Sequence, residues 1–266
     1  MGLGIIGGGV MGEAILARLI SGNIFPPHEI WVSDPQTERR QFLCRTYGVE
    51  AVADNGIPAR QDILLLAVKP QHFLDLVQHL PPLAPEQVVI SIMAGVTIAQ
   101  LETYFVGQPV ARVMPNTPAR VGASASAVAF NQRITEQHKT QVCTILRGIG
   151  TVVEVPETLM DAVTGLAGSG PAYVAIVIEA LADGGVRMGL PRSIAHHLAV
   201  QTVLGTAQLL QETGLHPAQL KDQVASAGGT TIAGIEALEH HGLRSALISA
   251  VSSATKRSIE LKECVS

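Results

Sequence analysis

The sequence predicts a doubly wound α/β domain over residues 1–156, followed by an all-α domain over residues 157–266. Three observations carry this. Short β-rich runs alternate with helix-length segments in the first part, the βαβ pattern of a parallel sheet. A glycine-rich turn joins the first run to the first helix. Beyond Pro156 the strand signals stop, and Ala/Leu-rich segments of helical length succeed one another.

Leu3-Gly4-Ile5-Ile6 reads as the first strand. A helix is expected over 10–21, with Gly22 just past its end, where glycine is favoured. Ile30-Trp31-Val32-Ser33 is the second strand, a charged helix covers 36–46, and 49–52 is a third strand. Ile63-Leu64-Leu65-Leu66-Ala67-Val68 is apolar throughout, as a strand covered on both faces of a parallel sheet must be. Runs at 88–92 and 110–113 continue the sheet. In the second part, helices are expected over 171–186, 191–212, 217–225 and 231–241. Pro171, Pro191 and Pro217 stand at first-turn positions, where a missing N–H costs nothing. The stretch Ala172-Tyr173-Val174-Ala175-Ile176-Val177-Ile178 is apolar on every face of a helix, so it must be buried on every face. A small helical domain has too little core to do this alone. Two copies interlocking would.

Composition narrows the function classes. Hydrophobic residues make up 47% of the chain and charged residues 15%, which excludes disorder. The mean hydropathy of +0.32 points either to a membrane or to burial between subunits. The longest plain apolar run near the centre, Ile63 to Val68, is far short of a bilayer span of ~20 residues, which favours a homo-oligomer. The net charge is −4, and the 18 basic residues are scattered, with no nucleic-acid stripe or membrane-binding face. The start lacks the charged segment of a signal peptide. Cys44, Cys143 and Cys264 form no CxxC pair, as expected of reduced thiols in a cytoplasm.

Gly7-Gly8-Gly9-Val10-Met11-Gly12 fits G-x-G-x-x-G between a strand and a helix, the context of a dinucleotide site. Gly7 allows the tight turn, Gly9 the approach of a pyrophosphate, and Gly12 close helix–strand packing. A plain glycine turn is the blander reading. No Gly-Lys-Ser/Thr follows, so a P-loop is excluded. Gly168-Ser169-Gly170 is no nucleophile elbow, because Ala167 and Pro171 occupy the positions that need glycine. Asp34 ends the second strand. It can bind the adenine ribose 2′-OH, favouring NAD, or cap the next helix ahead of Pro35. Arg39 and Arg40 can reach a 2′-phosphate or lie in solvent. A second glycine loop, Ser226-Ala227-Gly228-Gly229-Thr230-Thr231, opens a helix whose N–H groups suit a carboxylate. An ordinary threonine cap is its plainer reading.

Taken together, these segments resemble the pyrroline-5-carboxylate reductase family over essentially the whole chain. The resemblance runs through Ile6 to Met11, Ala67-Val68-Lys69-Pro70-Gln71, Ser91 to Val96, and Arg112-Val113-Met114-Pro115-Asn116-Thr117-Pro118. Its most specific parts are Gly168-Ser169-Gly170-Pro171-Ala172-Tyr173 and Gly228 to Gly234. It implies an α/β Rossmann-type doubly wound sheet domain followed by an all-α dimerisation domain. The implied reaction is reduction of 1-pyrroline-5-carboxylate to L-proline by NADPH or NADH. By similarity, Gly7 to Gly12 (Gly8, Val10 and Met11 included), Ser33, Asp34, Asn55, Ala67, Val68, Lys69, Pro70, Ala94 and Gly95 bind the cofactor. Ser226, Gly229, Thr230 and Thr231 hold the substrate carboxylate, and Thr231 is the catalytic residue near the imine nitrogen. Ala227 stands where the family usually has Pro, Ser124 where Gly is usual, and Val10 and Gly12 replace the commoner Asn and Ala. Ser33-Asp34 does not match the Asn-Arg pair of NADP-preferring members.

Lys69 is expected only on the cofactor side, and Tyr173 in the core. His196-His197 and His240-His241 point to different helix faces, so no metal site is expected. Two other readings remain: a reductase of another imine or a β-hydroxy acid, and a dinucleotide-binding sensor. The sensor would have no use for the second glycine loop.

Overall fold

The computed structural model describes residues 1–263, and Cys264 lies outside them. Among the described residues, eight strands form one sheet in the order β3-β2-β1-β4-β5-β6-β7-β8. β1 (Leu3–Ile6), β2 (Ile30–Ser33), β3 (Glu50–Val52), β4 (Ile63–Leu66), β5 (Val88–Ser91) and β6 (Val110–Met114) are mutually parallel. β7 (Ser124–Phe130) is antiparallel to β6, and β8 (Gly150–Glu154) is parallel to β7. The chain moves outward from β1 to β3, then returns to β1's other side with β4. The strand order therefore reverses between β1 and β4, where doubly wound sheets hold their ligands.

Successive strand residues face opposite layers. Ile63 and Leu65 join a core with Ile15, Leu16 and Leu19 of α1 (Val10–Ser21) and Leu43 of α2 (Thr37–Tyr47). Leu64 and Leu66 join a second core with Phe73 and Leu76 of α3 (Phe73–Gln78) and Leu101 of α4 (Ile98–Tyr104). α5 (Glu136–Arg147) adds Val142, Ile145 and Leu146 to the first core. Both sheet faces are covered, as the all-apolar β4 requires. The expected strand over 63–68 ends at Leu66, and Ala67-Val68 belong to the following loop.

The remaining elements are helical: α6 (Met160–Val163), a π turn over Thr164–Gly168, α7 (Gly170–Arg187), α8 (Arg192–Thr213), α9 (Pro217–Val224), α10 (Thr230–His240) and α11 (Leu243–Glu263). The compact units do not divide where the strands stop. One unit comprises Met1–Ser169 with the chain from Ser252 onward, and the other Gly170–Val251. α6 stays with the sheet because buried Met160 packs among Ile98, Met114, Ala127 and Ala129. Buried Asp161 also accepts hydrogen bonds from Ser258 Oγ (2.9 Å) and Lys262 Nζ of α11.

One of the three proline expectations needs correction. Pro171, the second residue of α7, occupies its first turn as expected. Its missing N–H leaves the Ala167 carbonyl, four residues back, without that helical donor, and Asn116 Nδ2 donates to it instead at 3.0 Å. Pro191 is the N-cap of α8 rather than its first residue, whereas Pro217 does occupy the first turn of α9.

In the second unit the buried apolar residues are three alanines, Ala182, Ala195 and Ala199. In α7, Ile176 is 64% exposed and Val174 and Leu181 are also exposed, as is Met188 just past its end, at 83%. The all-round apolar helix is thus not covered within one chain. The stretch Glu157–Arg187 is long and apolar enough to cross a membrane by length and composition alone.

Candidate active site

The expected cofactor residues gather along one edge. In a parallel sheet all strands end on the same side. Gly7 to Gly12 follow β1, Ser33 and Asp34 end or follow β2, and Asn55 follows β3. Ala67 to Pro70 follow β4, and Ala94-Gly95 follow β5. This carboxyl edge flanks the reversal between β1 and β4.

Each glycine of the first loop has its own physical role. Gly7 sits at φ +102°, and a Cβ there would lie 2.7 Å from the Ala67 carbonyl oxygen. Its N–H donates to the Ser33 carbonyl at 2.9 Å. A Cβ on Gly12 would lie 2.1 Å from the Gly7 carbonyl oxygen, so the family's commoner alanine would force this loop to move. Gly9 differs. It is the N-cap of α1, and a Cβ there would meet nothing within 4 Å. No side chain caps α1, so its first N–H groups and the positive end of its dipole face the open space beside Gly9. That is a fit for a pyrophosphate.

Asp34 is not a helix cap. α2 begins at Thr37 with Gln36 as N-cap, and Asp34 Oδ1 accepts from the Gln36 N–H at 2.9 Å in a local turn. Its other oxygen accepts from the Gly8 N–H at 3.1 Å. Arg39 and Arg40 are not loose in solvent. Arg40 donates to the carbonyls of Asp34 and Pro35, both at 2.8 Å, and to Thr37 Oγ1. Arg39 Nε donates to the Gly8 carbonyl and its Nη2 to Glu13 Oε2. Tyr47 Oη donates to Glu13 Oε1 at 2.8 Å. Burial acts to raise the Glu13 carboxyl, yet the hydrogen bonds from Arg39 and Tyr47 and the Arg39 charge outweigh it, so it titrates below its ordinary range. Burial and the same bond push the Tyr47 phenol up. The Ser33 hydroxyl is buried and makes no hydrogen bond among the described residues.

At the β4–β5 end of the edge, Pro70, Ala94 and Gly95 line a cavity of about 680 Å³ with Thr164, Ser169 and Arg257. Gly95 has φ +80°. Thr164 begins the π turn, in which the Ser169 N–H reaches back to the Thr164 carbonyl at 2.9 Å. Such turns are frequent at functional sites. Asn116 anchors it, since its Nδ2 holds Ala167 and its Oδ1 accepts from the Ala125 N–H at 3.0 Å. Ser124, in place of the usual glycine, is buried and accepts from the Asn116 N–H at 3.2 Å. Thr164, Arg257 and Asn116 were not singled out as site residues from the sequence. Pro171 implies an unpaired carbonyl four residues back at Ala167, but no sequence signal points to Asn116 as its donor.

The second glycine loop forms within the helical unit. The Ser226 carbonyl accepts from the Gly229 N–H at 3.1 Å, with Gly228 at φ +66°. This is a four-residue turn with Ala227 in its second place, where proline suits the geometry. Closure needs only Gly228's positive φ, so alanine suffices. Ala227→Pro is expected to stabilise the protein by ~0.4–1 kcal/mol through the unfolded chain, which a thermal melt would register as a higher Tm. A lower Tm would mean that the turn does not have this geometry in solution. Gly229, not a threonine, is the N-cap of α10, and no side chain caps it. Thr231 is half-buried and Thr230 exposed.

Comparison with known proteins places these features. Residues 157–261 match a family model described as pyrroline-5-carboxylate reductase dimerisation, and residues 2–95 one described as NADP oxidoreductase, coenzyme F420-dependent. The pyrroline-5-carboxylate reductase of Synechocystis sp. is 54% identical over 97% of both chains. That of Methanosarcina acetivorans is 45% identical, again over 97% of both. The crystal structure of a Plasmodium falciparum pyrroline carboxylate reductase with NADP bound superposes with a TM-score of 0.89, at 30% identity over 98% of both chains.

Proposed function

This chain belongs to the pyrroline-5-carboxylate reductase family, and on that premise we propose that it reduces 1-pyrroline-5-carboxylate to L-proline with NADH or NADPH, the last step of proline biosynthesis. The observation that carries the reading is the pairing of two features on one sheet edge. An uncapped helix start faces open space at Gly9, and a cavity opens at Ala94-Gly95. The first suits a dinucleotide's pyrophosphate and the second the reacting end.

When bound, the nicotinamide supplies a hydride to the imine carbon, most readily to the iminium form, and the ring nitrogen keeps its proton in the product amine. The protein's own part is positioning, worth up to ~7–11 kcal/mol of barrier. Gly7 to Gly12 receive the pyrophosphate. Ser33, Asp34 and Asn55 lie at the adenosine end, with the Asp34 carboxylate favouring a ribose diol over a 2′-phosphate. Ala67 to Pro70 and Ala94-Gly95 carry the cofactor onward to the cavity. Ser226, Gly229, Thr230 and Thr231 take the substrate carboxylate at the uncapped start of α10, and the Thr231 hydroxyl orients the ring nitrogen. Residues 157–266 act as the dimerisation and substrate-binding part. The protein works in the cytoplasm, and no membrane or nucleic acid is its partner.

The test is spectrophotometric. Oxidation of NADH and NADPH with 1-pyrroline-5-carboxylate is expected to yield proline mole for mole. Cofactor oxidation without proline contradicts the assignment.

The same reading requires a homo-oligomer. The exposed apolar residues of α7 far exceed the scattered surface residues a monomer tolerates. Sedimentation at micromolar concentration is expected to give a dimer or an assembly of dimers. A folded, active monomer would refute the interlocked arrangement.

A further inference from the structure

The geometry points to Glu13 and Arg39 as a latch that sets the cofactor preference: Glu13 holds the Arg39 guanidinium against the Gly8 carbonyl and so withholds it from a 2′-phosphate. The inference rests on the cofactor site proposed above and on four observations. First, Asp34 and Arg39 grip the two ends of one residue. Asp34 Oδ2 takes the Gly8 N–H at 3.1 Å, and Arg39 Nε takes the Gly8 carbonyl. A carboxylate and a guanidinium therefore flank the place where β2 ends, the point at which an acid selects a ribose diol and an arginine accommodates a 2′-phosphate.

Second, the arginine is already held in place without any ligand. Its Nη2 is paired with Glu13 Oε2, and its guanidinium carbon lies 5.0 Å from the centre of the Phe42 ring. A planar fork fixed at Nε and Nη2 and placed against a ring has its direction set, and turning it toward a 2′-phosphate costs one of these contacts. Third, Glu13 is itself fixed. It stands in the first turn of α1, where the helix dipole favours an anion, and its second oxygen accepts from Tyr47 Oη at 2.8 Å. Arg39 lies in the first turn of α2 and Tyr47 at its end, so one carboxylate ties both ends of α2 to the cofactor loop. Fourth, the neighbouring cation cannot substitute readily, because Arg40 is spent on Asp34, Pro35 and Thr37. Asp34 thus disfavours the 2′-phosphate directly, and Glu13 disfavours it by occupying its best partner. Glu13 and Arg39 are positioning residues in this scheme.

The test measures binding of NAD⁺ and NADP⁺ by calorimetry to the whole protein, with no substrate present. Glu13→Gln keeps the shape of the pair and removes the charge that retains Arg39. The ratio of Kd values is expected to shift toward NADP⁺ by about tenfold, the size of one charge-assisted hydrogen bond. Tyr47→Phe, which frees Glu13 from one side only, should move the ratio less and in the same direction. Adding Arg39→Ala to Glu13→Gln should abolish the shift, since the released guanidinium is its cause. Asp34→Asn should shift the ratio alone and add to Glu13→Gln. The inference is overturned if Glu13→Gln and Tyr47→Phe change both affinities in parallel, which marks a brace for the loop and nothing more. It is overturned too if the shift survives without Arg39, which marks a general charge effect. A parent protein that binds both nucleotides yet does not turn over 1-pyrroline-5-carboxylate would refute the reductase assignment and leave the latch standing.

Discussion

Thr231→Ala is expected to lower kcat by about a hundredfold, the size of effect that misplacing a reacting group produces, with little change in NAD(P)H affinity. The residue is the second of α10, behind a glycine N-cap, and no side chain caps that helix. Loss of the hydroxyl therefore removes no cap, and the ~0.5–2 kcal/mol penalty of an uncapped helix should be absent from thermal unfolding. The hydroxyl is far too weak an acid to donate a proton alone. Its task is to orient the ring nitrogen, an interaction strongest in the transition state, so kcat and kcat/KM fall together. Thr230→Ala is the control, because that side chain is exposed and carries no assigned contact with the nitrogen. Parental kcat in both folded variants would remove Thr231 from the mechanism.

Gly9→Ala is expected to raise Kd for both cofactors at least about tenfold, ~1.4 kcal/mol, while leaving the free protein as stable as the parent. The two halves of this expectation come from one observation. Gly9 has ordinary backbone angles, and an added methyl would meet no protein atom within 4 Å. Any penalty must therefore come from a ligand in that space. Gly7→Ala is the contrasting case. Its φ of +102° and the Ala67 carbonyl make the substitution costly to the free protein itself, by ~1–3 kcal/mol of strain. Calorimetry and thermal melts on both variants separate the roles. Unchanged cofactor affinity in Gly9→Ala would mean that the pyrophosphate lies elsewhere.

How much of this was legible beforehand depends on the kind of signal. Apolar runs such as Ile63 to Leu66 announce themselves because both faces of a parallel strand are covered, and the first six strands follow from such runs. β7 and β8 do not. Ser124-Ala125-Ser126-Ala127 is made of small residues whose burial comes from the packing around them, and Gly150 fits only because its missing Cβ would lie 2.1 Å from the Ser124 carbonyl oxygen. The glycine loops were legible because backbone chemistry at a helix start is local. The partners of Asp34, Arg39 and Asn116 were not, since each bond joins residues whose proximity only the fold creates. Gly8 to Arg39 and Asn116 to Ala167 are separated by 31 and 51 positions. The cap reading of Asp34 failed for a local reason: its carboxylate turns back to Gln36 and Gly8 before the helix begins.

Direct transfer of hydride from the cofactor to the imine carbon is the central claim, and isotope transfer tests it most directly. Incubation of the protein with 1-pyrroline-5-carboxylate and NADH deuterated on the transferring face of the nicotinamide should give proline carrying one deuterium on the former imine carbon. Proline formed without deuterium, or label lost to solvent, would contradict it.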